Sequence, residues 1–96
     1  MGYDMKKHTI SFPEMTTIEK LAGSMDTCYD ALLRYSGKVL VAKMNWKGKY
    51  EAATYEFVDS TDEFSEIECR LNLLEVADTT FKDSGSAMEW CMKEAK

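Results

Sequence analysis

Lys38-Val39-Leu40-Val41-Ala42-Lys43-Met44-Asn45-Trp46-Lys47-Gly48-Lys49-Tyr50 is the stretch on which the fold turns. Upstream of it the apolar residues recur every three or four positions. From Lys38 the period falls to two, with Val39 and Val41 on one side and Leu40, Ala42, Met44 and Trp46 on the other. Lys47-Gly48 is a hairpin turn into Lys49-Tyr50, so 38–46 and 50–58 read as an antiparallel pair. Ala52-Ala53 and two glutamates would also suit a helix, but Tyr50, Tyr55 and Phe57 favour a strand.

Working upstream, Ile18, Leu21, Ala22, Met25, Cys28, Tyr29, Leu32 and Leu33 keep helical spacing and predict one long amphipathic helix. Thr16-Thr17-Ile18-Glu19 supplies a capping box and Ser36-Gly37 the stop. Gly23 is its weak point, costing about 1 kcal/mol against Ala, and with Ser24 it can kink the helix or split it before Asp26. Earlier still, residues 7–12 alternate as a short strand ending at Pro13.

Working downstream, 59–63 is an acidic connection. Ile67, Cys69, Leu71 and Leu73 then alternate with Glu66, Glu68, Arg70 and Asn72, a strand with one wet face. Leu73-Leu74 breaks the alternation and predicts a bulge that turns Leu74 and Val76 inward. Ser86-Ala87-Met88-Glu89 opens a last helix burying Met88, Cys91, Met92 and Ala95, with Trp90 near its edge. The expected architecture is α+β: a two-layer β-α-β-β-β-α domain over residues 1–96, an antiparallel sheet with two helices packed on one face. Met5-Lys6-Lys7 also reads as a natural start, which would leave residues 1–4 as an extension and 1–5 disordered.

With 96 residues, 45% of them hydrophobic and 30% charged, the chain is long enough for one core, too apolar for disorder and too interrupted for a membrane span. No apolar signal core follows the charged N-terminus, so a cytoplasmic location is expected. Cys28, Cys69 and Cys91 are odd in number and sit among apolar neighbours, which predicts reduced, buried thiols.

Catalytic chemistry has little to work with. His8 is the single histidine, and no nucleophile elbow occurs. The cysteines are 41 and 22 positions apart, too far for a zinc knuckle. Asp59, Asp62 and Glu63 lack the glycine and terminal glutamate of a calcium loop. Ser84-Gly85-Ser86, the one candidate anion site, is flanked by Asp83 and Glu89. No enzyme, cofactor or metal is therefore expected. The α-β-β-β-α portion shares its element order with double-stranded-RNA-binding domains, but the last helix lacks their basic cluster, and no membership follows.

Charge is the informative feature. The net −5 is the sum of two unlike segments: five basic and no acidic residues between Arg34 and Tyr50, then eleven acidic and two basic between Glu51 and Glu89. If the strands pair as read, these segments adjoin and partly neutralise each other. The first functional expectation is a protein-binding domain of the inhibitor, immunity or anti-defence kind, phage or bacterial in style. An acidic sheet face, formed by Glu56, Asp59, Asp62, Glu63, Glu66 and Glu68 with Phe64 as an apolar anchor, docks on a basic partner such as a nuclease or another nucleic-acid-binding protein. The alternative is a binder or sponge of an anionic, nucleotide-like small molecule at the hairpin, through Lys43, Trp46, Lys47, Lys49, Tyr50 and Tyr55. Direct nucleic-acid or membrane binding is not expected. Homodimerisation through an exposed edge such as 50–58 is compatible with the pattern.

Overall fold

The computed structural model describes residues 12–25, 29–59, 62 and 65–95. Among them the elements run β1 (Met15–Thr17), α1 (Ile18–Gly23), β2 (Ala31–Tyr35), β3 (Lys38–Met44), β4 (Tyr50–Phe57), a 3-10 turn (Glu66–Glu68), β5 (Arg70–Val76) and α2 (Ser84–Ala95). The five strands form one antiparallel sheet in the order β1-β5-β4-β3-β2, and the helices pack against it. The α+β class read from the sequence is the class observed.

The decisive stretch behaves as its period dictates. β3 pairs with β4 in unbroken register from Lys38 opposite Glu56 to Met44 opposite Tyr50. Val39, Leu40, Val41 and Ala42 are all fully buried. Four apolar residues in succession can be buried in a strand only if both faces of the sheet are covered. Leu21 of α1 packs with Val39, Val41, Ala53, Tyr55 and Leu71 on one face. On the other, Ala87, Met88, Cys91 and Ala95 of α2 pack with Leu40, Ala42, Tyr50 and Ala52. The expectation of both helices on one face is corrected accordingly: α1 and α2 take opposite faces.

The long first helix is also corrected. It ends at Gly23, the weak point of its pattern, where Ser24 caps it and donates from Oγ to Leu21 O at 2.8 Å. Its N-cap is Thr17, whose hydroxyl accepts from Lys20 N–H at 3.2 Å, one residue after the expected Thr16, which lies in β1. Residues 31–35, read as the last helical turns, are instead β2. Ser36 and Gly37 both have positive φ, 56° and 77°, and form a tight hairpin turn that places β2 against β3. A glycine free to adopt that conformation ends a helix or turns a hairpin equally well, and five cross-strand pairs with β3 decide the matter here.

The early strand read over 7–12 falls mostly outside the described residues; Phe12 packs beside the α1 cluster, and the strand beside β5 is Met15–Thr17. Glu66 and Glu68, read as one face of a strand, belong to the 3-10 turn, and Ile67 is 51% exposed. The bulge occurs as read: Tyr55 opposes Leu73 and Thr54 opposes Glu75, leaving Leu74 extra. Leu74 and Val76 nevertheless stay exposed, 42% and 41%. Residues 50–57, the suggested dimer edge, lie inside the sheet between β3 and β5.

α2 lies close to the sheet because its inner stripe is small. The Cys91 Sγ is 3.5 Å from Ala53 O, an approach that the alanines on both sides permit. No helix among the described residues is long and apolar enough to cross a membrane.

Candidate functional surface

Asn45 builds the β3–β4 turn. Its buried side-chain oxygen accepts from the N–H groups of Lys47 at 2.9 Å and Lys49 at 3.1 Å, while its Nδ2 donates to Glu51 Oε2 at 3.1 Å. Gly48, at φ 81°, completes the turn by donating to Asn45 O. The frame holds Trp46 in solvent, 75% exposed, with Lys47 Nζ 5.1 Å from the ring centroid. Burial pushes the Glu51 carboxyl up and the Asn45 hydrogen bond pulls it back.

The six residues read as a hairpin pocket divide in four ways. Trp46, Lys47 and Lys49 gather at the turn, and Lys43 donates from Nζ to Ser24 Oγ at 3.3 Å. Tyr50 is buried in the α2-side core. Tyr55 is buried on the α1 side, where its hydroxyl donates to Pro13 O at 2.8 Å and burial pushes its pKa to about 12. Two tyrosines on opposite faces of a sheet cannot line one pocket.

The acidic set is scattered as well. Arg70 donates from both Nε and Nη2 to Asp59, holding that carboxyl down at about 2. Glu66 is ion-paired with Arg34, whose guanidinium stands 5.2 Å from the centroid of the Phe57 ring. The basic arm and the acidic segment therefore meet, as their charges suggest. Glu56 is exposed on β4 opposite Lys38; Asp62 and Glu68 are exposed, and Glu63 and Phe64 lie outside the described residues.

A second acidic group was not read from the sequence. The Glu75 carboxyl on β5 hydrogen-bonds with that of Glu94 on α2, and Asp78 adds its field. That hydrogen bond is the main cause that raises the Glu75 pKa, ahead of desolvation and the repulsion of the two neighbouring carboxylates. Exposed Leu74 and Val76 flank Glu75. β1 reaches only as far as Met15 opposite Asn72 and the bond from Leu73 N–H to Glu14 O, so among the described residues 74–76 pair with β4 alone. The break in alternation at Leu73-Leu74 marked this end of β5, but nothing in the sequence joins Glu75 to a residue nineteen positions away.

Other candidates are accounted for locally. Asp83 Oδ1 accepts from Ser86 N–H at 2.7 Å and so caps α2 itself, where an anion would otherwise sit. Burial raises the Cys91 thiol to about 11; burial, then Asp59 and Glu68, raise that of Cys69, and both side chains are buried. His8 and Cys28 lie outside the described residues, among which no group of three or more His, Cys, Asp or Glu is placed to hold a metal ion.

Comparison with curated proteins and with solved structures gives no match. A family model described as nucleotide modification associated domain 4 matches residues 12–95, which take in the whole sheet, both helices, the Asn45 turn and the Glu75–Glu94 contact. The chain is a member of that family, Nmad4.

Proposed function

We propose that this chain is a binding domain without catalysis of its own, which docks the acidic β5–α2 side on a positively charged surface of a partner protein in the manner of an inhibitor or anti-defence protein. The observation that carries this reading is the crowding of Glu75, Glu94 and Asp78 beside exposed Leu74, on a stretch of β5 that pairs, among the described residues, with β4 alone. Like charges brought together repel, and an approaching cationic group relieves that repulsion, while exposed Leu74 gives apolar contact area that charge alone does not. Exposed Glu56 lies on the same sheet face as Glu75, since their partners Thr54 and Asn72 fix that alternation. Proteins that handle nucleotides or nucleic acids carry basic grooves for phosphate, so a partner of that chemistry fits both the family and the charge.

The test is affinity capture at low and high salt with the wild type and with the double variant Glu75→Lys/Glu94→Lys. A partner retained at low salt, released at high salt and lost to the double variant is the expected result. Capture by the variant equal to that of the wild type removes the assignment, with Glu19→Lys/Glu68→Lys, at two exposed carboxylates of α1 and the 3-10 turn, as the control that makes the same change in net charge.

The exposed Trp46 supports a second reading, in which the turn binds a nucleotide-like anion by stacking on the indole and by charge from Lys47 and Lys49. Its signature is saturable quenching of Trp fluorescence by a nucleotide, abolished in Trp46→Phe. An unaltered spectrum across the titration counts against it.

A further inference from the structure

We propose that two copies of this chain pair along the outer edge of β2, antiparallel and centred on Leu33, so that one sheet runs through both. This stands apart from the acidic docking surface, which lies at the opposite end of the strand order.

β2 is the last strand of the sheet, and no described residue pairs beyond it. The two-residue turn at Ser36 and Gly37 makes Tyr35 and Lys38 its closing hydrogen-bonded pair. Hydrogen bonding alternates along an antiparallel strand, so Leu33 and Ala31 also bond to β3 while Leu32 and Arg34 turn their N–H and C=O groups outward. Natural edges are blunted by shortness, proline, charged side chains (lysine above all), bulges or a covering element. β1, at the far side of the sheet, is three residues long; β2 has five residues in regular register and contains no proline, lysine or bulge.

Charge selects the occupant. A chain of net charge −5 repels its own copy and can meet it only where the local charge is balanced. β2 is such a place. Its one charged side chain, Arg34, is neutralised by Glu66 and covered on one side by Phe57, and Asp30 just before the strand accepts from Met44 N–H at 2.9 Å. On the α2 face Leu33 is 38% exposed between half-buried Ala31 and Tyr35. With the two-fold axis at Leu33, each Leu32 faces the partner's Arg34 in a hydrogen-bonded pair. The two Leu33 side chains meet in a non-hydrogen-bonded pair, about 4.5 Å apart at Cα, where side chains approach most closely.

Sedimentation equilibrium of the full chain across a dilution series is expected to show a species of twice 11.0 kDa. Leu33→Lys sets like charges together on the axis and should raise the dissociation constant by roughly tenfold or more with the circular dichroism spectrum retained. Leu33→Cys should form a disulfide-linked dimer on mild oxidation, faster than wild type and faster than Leu74→Cys, an exposed control on the other side of the sheet. A monomer mass throughout, a dimer indifferent to Leu33→Lys, or Leu33→Cys crosslinking no faster than the Leu74→Cys control each overturns the proposal.

Discussion

Asn45 spends its whole side chain inside one turn, and that concentration of bonds makes it a sensitive single position in the molecule. Replacing it with Ala removes the acceptor for two backbone N–H groups and the donor to the largely buried Glu51 carboxylate. A loss of about 2 kcal/mol in urea unfolding is expected, with Trp46 fluorescence shifting as the turn loosens. A loss within error of zero would show that the turn holds without it. The sequence marked Lys47-Gly48 as a turn but gave no sign that Asn45 was its keystone, because a side chain that bonds its own backbone looks from composition like any loop asparagine. Trp46 was legible as exposed chemistry only in part: its alternation assigned it to the side of Leu40 and Ala42, whereas the turn carries it clear of the sheet.

At the scale of elements, β3 was the most legible piece and α1 with β2 the least. β3 reads unambiguously because apolar period two followed by a glycine turn has one solution. The segment 18–35 has two, since leucines spaced by three and four also alternate when only a few residues are taken, and five pairs with β3 outweigh a helix that Gly23 interrupts. α2 shows what packing adds. Its stripe of Ala87, Cys91 and Ala95 lies over fully buried Ala42 and Ala52. Enlarging Ala52 to Leu at that contact should cost about 2 kcal/mol by overpacking, measured as a lower urea midpoint with an unchanged slope. Stability equal to wild type would mean that α2 stands farther from the sheet than described.

Over the whole molecule, the charges combine into a pH profile with two opposed parts. Asp59, held down at about 2 by Arg70, contributes stability above the ordinary carboxylate range and loses it as pH falls toward that value. Glu75 is raised by Glu94, so its contribution is complete below the ordinary carboxylate pKa and is lost as pH rises through the raised value. Glu94→Gln should therefore raise the thermal midpoint near about pH 7 and leave it almost unchanged near about pH 4. A gain equal at both values would mean that the two carboxylates do not interact. The candidate surface follows the same division between local and global. By itself the sequence determined the antiparallel hairpin, the α+β class, the bulge and the segregation of charge, all of which depend on residues near one another along the chain. Only the tertiary structure decided that the helices lie on opposite faces, that Asp59 and Glu66 are neutralised by Arg70 and Arg34, and that Glu75 meets Glu94. Those outcomes depend on strand order and on which face each helix covers, and both are settled by the free energy of packing the whole core.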